Sequence, residues 1–247
     1  MARLIDRDFS LNGDRARECL ARLREAFAAE GLYIVRPLPA AELGAASLET
    51  GADRSQAGDM ILVGDGGPDF FARFQAERTE GESANPLDDF TRARVEQVVG
   101  SILGSARISC ALFFPFPVAG EPLLPFQRLG RASGLPAPGP LGLQIHPVFG
   151  PWWAYRALIA TPFAFPVEPP FLSACTTCTR PCVRECAQHG SGSVTTDDAD
   201  PGYFSGCGDA CGARDRCPFG VEYRYPDAQI DFHARAREAM IAAARAG

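Results

Sequence analysis

Hydrophobic residues along the first two thirds of the chain alternate between helical and strand periodicity. A helix is predicted from about residue 14 to residue 30, with Asn12 or Asp14 as its cap and a glycine as its stop. Short apolar runs at 32–37 and 59–65 predict buried strands. Further helices are predicted at 69–78 and 87–103. The apolar faces of the first and second helices are formed by Cys19, Leu20, Leu23 and Phe27, and by Phe70, Phe71 and Phe74.

The second half of this region contains the strongest strand pattern, at residues 107–116, which is apolar and ends in proline. A short helix is predicted at 123–133, and two last strands at 141–147 and 152–160. Alternating helices and strands with hairpin-like returns predict an α+β fold, in which one sheet is flanked by helices.

The composition changes near residue 172. Residues 173–220 consist largely of Cys, Gly, Ser, Asp and Pro, with almost no periodic apolar pattern. Such a segment cannot bury enough surface to fold alone, and a bound metal centre would explain its persistence. We therefore expect an α+β domain at 1–172, a cysteine-rich lobe at 173–220 with an acidic linker at 189–202, and a C-terminal helix within 221–247 that starts near Asp227.

Charge and hydropathy narrow the class of protein. The formal net charge is −6 and the sequence pI is about 5.2, so charge does not favour nucleic acid as a partner. The basic residues are all arginine, which excludes a Schiff-base lysine and a P-loop lysine. There is no apolar run of the roughly 20 residues that span a bilayer. The N-terminus lacks the apolar stretch of a signal peptide, so we expect a cytoplasmic protein without a membrane partner.

The segment at 143–159 has the most distinctive sequence. His146 and Pro147 end one predicted strand, a turn follows, and Trp152 begins the next strand. Aromatic side chains and an arginine beside a Gly-Pro turn are suited to the wall of a site for a large planar cofactor. The alternative is a β-turn with its aromatic side chains in the core.

This segment resembles the His-Pro-x-Phe-Gly-Gly-Trp-Phe-Ala-x-Arg stretch of the CblC family of cytosolic cobalamin-processing reductases and dealkylases. It also resembles the Tyr-Gly-x-Trp-x-x-x-Arg segment of the epoxyqueuosine reductases and the corrinoid-dependent reductive dehalogenases. A weaker likeness to the CblC family covers most of residues 14–160. The resemblance implies a flavin-reductase-like (nitroreductase-like) core that holds a corrinoid base-off, without its lower axial nitrogen.

The resemblance also implies site residues. Arg156 matches an arginine that helps to bind a glutathione thiol, and His146 is a candidate axial ligand, although a histidine before proline is more often a hydrogen-bonded structural residue. One departure is Pro151, which replaces the second glycine of the family's turn. The implied corrinoid contacts are Leu124, Pro125, Phe126, Gln127, Gln144 and Tyr155, and the turn adds His146, Phe149, Gly150 and Trp152.

Seven of the nine cysteines form two groups, C-x2-C-x3-C-x3-C and C-x3-C-x5-C-P, while Cys19 and Cys110 stand alone as expected core residues. A local cysteine cluster in a cytosolic chain more often holds a metal or a redox group than disulfides. The order of the groups resembles the ferredoxin insert of the epoxyqueuosine reductases. The candidate metal ligands are Cys175, Cys178, Cys182, Cys186, Cys207, Cys211 and Cys217.

The cysteine lobe has three interpretations. The first interpretation is one [4Fe–4S] cubane, because two cubanes need eight thiolates and the lobe has seven cysteines. A four-cysteine zinc site is the second, because C-x2-C suits tetrahedral sulfur coordination equally well. A lobe that keeps its thiols without metal is the third. The single cubane would use Cys175, Cys178, Cys182 and Cys217 and leave the other three cysteines as a remnant.

The function that follows from the resemblance is a corrinoid-binding reductase that removes the upper axial ligand of cobalamin by reductive decyanation or dealkylation. Loss of the lower axial nitrogen makes cobalt easier to reduce, and a reduced flavin or a thiol would supply the electrons. The first alternative is an epoxyqueuosine-reductase-like Fe–S and corrinoid oxidoreductase. It is disfavoured because the chain lacks that family's helical-repeat extension and catalytic Asp motif, and also lacks a basic surface for tRNA. The second is a non-catalytic cobalamin chaperone.

Overall fold

The structure is a computed structural model that describes residues 2–40, 58–78, 83, 85–118, 124–188 and 212–246. The chain forms two compact units. The first comprises residues 1–134 and 154–170, and the second comprises residues 135–153 and 171–247. This division differs from the predicted one, because residues 135–153 and the C-terminal helix belong to the same unit as the seven clustered cysteines.

The first unit contains a four-stranded sheet with the strand order β1-β2-β4-β3. β1 pairs with β2 in antiparallel register, from Ile34 opposite Gly64 to Leu38 opposite Met60. β3 and β4 are also antiparallel. Helices accompany this sheet, so the predicted α+β class is confirmed. The elements are α1 (Ala2–Ala29), β1 (Ile34–Leu38), β2 (Met60–Gly66), α2 (Asp69–Glu77), α3 (Pro86–Val99), a π-helical turn (Gly100–Gly104), β3 (Ala111–Phe113), α4 (Phe126–Ala132) and β4 (Trp153–Ala160).

The first helix has the predicted buried face and the predicted end. Gly31, which follows it, has φ +83°, and a Cβ at this position would lie 2.7 Å from the backbone nitrogen of Phe70. Only glycine fits this close approach of α2. The predicted start is wrong, because the helix already begins at Ala2. Asp14 pairs with Arg17 one turn later within the helix instead of capping it.

Two predicted strands are shorter or absent. The run at 107–116 forms only the three residues of β3, since Arg107 has a left-handed φ of 55° and prolines follow the strand. The run at 141–147 is not a strand and makes only the isolated bridges Pro138 to Gln144 and His146 to Gly150. The surrounding prolines remove the N–H donors that a continuous ladder needs.

The second unit is built from loops and short helices around its cysteines. The predicted C-terminal helix is present and begins at Asp227. The predicted linker at 189–202 lies outside the described residues. The elements of this unit are a 3₁₀ turn (Ala174–Thr176), α5 (Pro181–Gln188), α6 (Gly212–Asp215), a second 3₁₀ turn (Val221–Tyr223) and α7 (Asp227–Ala246).

None of the helices in the described part of the chain is both long enough and apolar enough to cross a membrane.

Candidate functional site

The His-Pro segment forms a closed turn in the second unit. The backbone N–H of His146 donates to the carbonyl of Gly150, and the N–H of Gly150 donates to the carbonyl of His146, each at 2.8 Å. Gly150 has φ +57°, and a Cβ at this position would overlap the backbone carbonyl of Phe219. The turn therefore requires glycine at position 150.

His146 is a hydrogen-bonded part of this turn. It is 5% exposed, and its Nδ1 accepts the backbone N–H groups of Val148 at 3.2 Å and Phe149 at 3.3 Å. An Nδ1 that accepts two N–H groups carries no proton, which assigns the neutral tautomer with hydrogen on Nε2. These contacts favour the structural interpretation of His146, and its ligation of cobalt remains an untested prediction.

The aromatic side chains of the segment are largely buried within the second unit. Trp152 is 2% exposed and packs with Tyr225 and Ile230, and the Arg214 guanidinium lies 4.4 Å from its ring centroid. The side-chain amide of Gln144 donates to the carbonyl of Pro136 at 2.9 Å. Trp152 and Gln144 thus have packing and hydrogen-bonding roles, and their contact with a corrin remains a prediction.

Around α4 in the first unit, the structure brings several predicted site residues together. The rings of Phe126 and Tyr155 lie 5.7 Å apart. A Cβ at Gly130 would overlap the Tyr155 hydroxyl, so this glycine allows Tyr155 to approach the helix closely. Leu124 and Phe126 are buried, whereas Pro125 and Gln127 are exposed.

Arg156 forms a buried ion pair in the first unit. Its Nη2 lies 2.9 Å from Oδ2 of Asp65, a residue with no exposed surface. The other carboxylate oxygen accepts the backbone N–H of Ala154 at 2.9 Å, and the Arg156 guanidinium lies 5.3 Å from the Phe70 ring centroid. Asp65 was not among the predicted site residues, although an aspartate within an otherwise apolar buried strand already signals a need for a partner.

The Arg156 guanidinium also affects the pKa of a second carboxylate, that of Asp88. Burial raises the pKa of Asp88, and neighbouring Asp89 raises it further, whereas the positive charge of Arg156 opposes the shift. Arg156 therefore pairs with Asp65 and lies near one further carboxylate of its own unit, that of Asp88, which favours a structural role for it.

Four of the predicted metal ligands line one small cavity in the second unit, with a volume of about 20 Å³. These cysteines form no disulfide. The cavity wall also includes Gly139, where a Cβ would lie 2.9 Å from the sulfur of Cys175. Cys207, Cys211 and the side chain of Cys186 lie outside the described residues. The four cysteines of the cavity are Cys175, Cys178, Cys182 and Cys217.

Three of the thiols that line the cavity have raised pKa values. Burial is the main cause that raises the pKa values of Cys175, Cys182 and Cys217, and the neighbouring thiols raise them further. No three His, Cys, Asp or Glu side chains among the described residues stand in an arrangement that would hold a metal ion as they are. Coordination would therefore require the sulfurs to move toward a common centre.

The predicted corrinoid contacts divide between the two units. Leu124, Pro125, Phe126, Gln127 and Tyr155 belong to the first unit, as does Arg156, the predicted thiol-binding residue. Gln144, His146, Phe149, Gly150 and Trp152 belong to the second.

No family model matches the sequence, and no curated protein sequence matches it either. Among solved structures, the chain is similar to the C. elegans B12-trafficking protein CblC, a homologue of human MMACHC, with a TM-score of 0.58 and 14% identity over 89% of this chain and 91% of that chain. It is less similar to an epoxyqueuosine reductase (TM-score 0.46, 12% identity, 68% and 52% covered) and to the catabolic reductive dehalogenase NpRdhA (0.38, 14%, 62% and 20%). The first similarity confirms the predicted CblC-like, flavin-reductase-like fold.

Proposed function

We propose that this protein binds a corrinoid and removes its upper axial ligand. The observation that carries the proposal is the fold similarity to a B12-trafficking protein, which extends over 89% of this chain and 91% of the other. The His146 to Arg156 segment supports it, because its sequence resembles the corresponding segment of the CblC family. The two similarities with lower TM-scores carry no weight in this argument.

The residues around α4 fit a corrinoid better than those of the buried turn. Gln127 is exposed, and the side-chain amide of glutamine can both donate and accept hydrogen bonds, as can the amide side chains of a corrin ring. Pro125 beside it is also exposed, and Tyr155 is half-buried. We therefore assign the corrinoid contacts of the first unit to this surface.

Arg156 fits a thiol-binding role less well, since its guanidinium is buried and paired with Asp65. When a corrinoid is held without its lower axial nitrogen, its cobalt ion is easier to reduce. The contribution of this chain is then to bind and orient the ring. A reduced flavin or a thiol from solution would act as the reductant.

The proposal is tested by anaerobic titration of the purified full chain with hydroxocobalamin, followed in the ultraviolet and visible range. A saturable change to a base-off spectrum is expected. Methylcobalamin and cyanocobalamin are then incubated with the protein and either reduced flavin or glutathione, and ligand removal is measured. Binding without any ligand removal would replace the enzymatic proposal with a chaperone. No spectral change up to about 100 μM cobalamin would exclude even modest affinity and overturn the proposal.

A matched pair of variants on α4 locates the site. Gln127→Ala should weaken corrinoid binding about 2- to 10-fold, the effect of losing a hydrogen bond worth roughly 0.5–1.5 kcal/mol. Arg128→Ala is the control, because Arg128 is a neighbouring exposed residue of the same helix. A dissociation constant for Gln127→Ala equal to that of the wild-type chain would remove this surface from the site.

A further inference from the structure

We infer that Cys175, Cys178, Cys182 and Cys217 bind one four-thiolate transition-metal centre, and that this centre anchors the Cys217–Gly220 segment against the His146–Gly150 turn. The inference concerns the second unit alone and does not rest on the proposed corrinoid function. It selects four of the seven clustered cysteines and assigns no ligand role to Cys186, Cys207 or Cys211.

Four cysteines from two separate segments of the chain converge on one cavity. Cys175 lies in a 3₁₀ turn, Cys178 in the loop that follows, and Cys182 in the first turn of α5. Cys217 comes from a separate segment after α6, yet all four line the same cavity. Cys182 and Cys217 are buried, and the other two are half-buried. Thiolates are the ligands that zinc and iron–sulfur clusters prefer.

One of the four sulfurs accepts a hydrogen bond from the backbone of the adjoining loop. The backbone N–H of Arg180 donates to the sulfur of Cys178 at 3.3 Å. A backbone donor of this kind orients a ligating sulfur.

Arg180 contributes to the cavity in two ways. Its φ of 54° lies in the left-handed region, which is uncommon for a residue other than glycine. That conformation accompanies the donation of its N–H to Cys178. Arg180 also lines the cavity, so its positive charge lies near the four thiols.

The segment that carries Cys217 packs against the His-Pro turn. Gly220 has φ +65°, and a Cβ at this position would overlap the backbone of Phe149. A Cβ at Gly150 would in turn overlap the carbonyl of Phe219. The two turns therefore stack backbone on backbone, and the Phe149 ring lies 4.8 Å from that of Tyr223. A metal that fixes Cys217 also fixes the residues on which the turn rests.

Metal analysis of the anaerobically purified full chain tests the centre. Iron, zinc and acid-labile sulfide are measured per chain, with reconstitution by ferrous iron and sulfide or by Zn²⁺. Either one zinc or one iron–sulfur cluster per chain supports the inference, and the visible absorption of a cluster distinguishes the two. Absence of metal after both reconstitutions would overturn it.

Serine variants identify the ligands. Cys175→Ser and Cys217→Ser should lose the metal, whereas Cys207→Ser and Cys211→Ser serve as matched controls from the same lobe and should retain it. Retention of full metal content in Cys217→Ser, or its loss in either control, contradicts the assignment. Because a ligand variant can fail to fold, Co²⁺ is also added to the metal-stripped wild-type chain. Co²⁺ should give thiolate charge-transfer absorption, and its absence opposes the inference.

Tryptophan fluorescence tests the link to the turn. The chain has only two tryptophans, Trp152 and Trp153, which directly follow the turn. The Trp153 ring lies 6.0 Å from that of His146. Removal of metal from the wild-type chain should therefore change the emission, and rebinding should restore it. Unchanged emission upon complete metal removal would contradict the anchoring role.

Discussion

Loss of the Asp65 carboxylate should severely destabilise the first unit. Asp65 is completely buried, and the Arg156 side chain is 8% exposed. The carboxylate accepts both a guanidinium N–H of Arg156 and the backbone N–H of Ala154. In Asp65→Ala, the Arg156 charge stays in the protein interior without this carboxylate, and the Ala154 amide loses its acceptor.

The magnitude follows from the burial of both partners. Removal of one member of a buried ion pair costs about 3–5 kcal/mol, because the remaining charge is left uncompensated in a poorly polarisable environment. For a protein of roughly 150–250 residues, each 1 kcal/mol lowers Tm by about 2–4 °C. We therefore expect Asp65→Ala to lower Tm by about 6–20 °C.

The assay is thermal unfolding for Tm and urea unfolding for the free energy, both followed by far-ultraviolet circular dichroism, applied to Asp65→Ala, Arg156→Met and the double variant. Methionine keeps the length and the apolar stem of arginine but removes its charge. The double variant should lose less free energy of unfolding than the sum of the single variants, since it leaves no isolated buried charge. A loss below about 1 kcal/mol in Asp65→Ala, or strict additivity in the cycle, would refute the assignment of a buried ion pair.

Two further substitutions examine packing at predicted site residues, and urea unfolding measures both. Trp152→Ala should lower the free energy of unfolding by about 3–5 kcal/mol, because Trp152 packs fully buried against Tyr225; a loss within about 0.5 kcal/mol, typical of a surface substitution, would contradict its core position. Gly130→Ala should destabilise the protein because its Cβ would overlap the Tyr155 hydroxyl, and a second substitution, Tyr155→Ala, should relieve that overlap. Full additivity of the two changes would show that they do not meet.

Periodicity predicts the elements whose structure depends on local residues. The buried face of α1 and its glycine stop follow from helical spacing and from the backbone freedom of Gly31. The Phe-rich face of α2 follows in the same way. The N-terminal extension of α1 could not be predicted from capping rules, because Asp14 has an alternative partner one turn later in Arg17.

Contacts between distant residues set the limit of prediction at the candidate site. The pairing of Asp65 with Arg156 joins residues from two neighbouring strands of the sheet, and local pattern does not reveal it. The spacing C-x2-C-x3-C groups Cys175, Cys178 and Cys182, but the arrival of Cys217 at the same cavity depends on the fold. That grouping is the one required by the single-centre interpretation, and the presence of metal remains a proposal.

The residues that make the His-Pro segment distinctive are those that the fold uses to build the turn. His146 accepts two backbone N–H groups, and Gly150 occupies a position that no side chain fits. Each needs a specific shape or hydrogen-bonding pattern, so buried turn residues produce a recognisable motif whether or not they touch a ligand. The exposed residues of the same turn are Pro147 and Val148, and Val148 is 49% exposed. Within the turn, these two apolar side chains are therefore the ones that solvent reaches most readily, whereas the imidazole of His146 is 5% exposed.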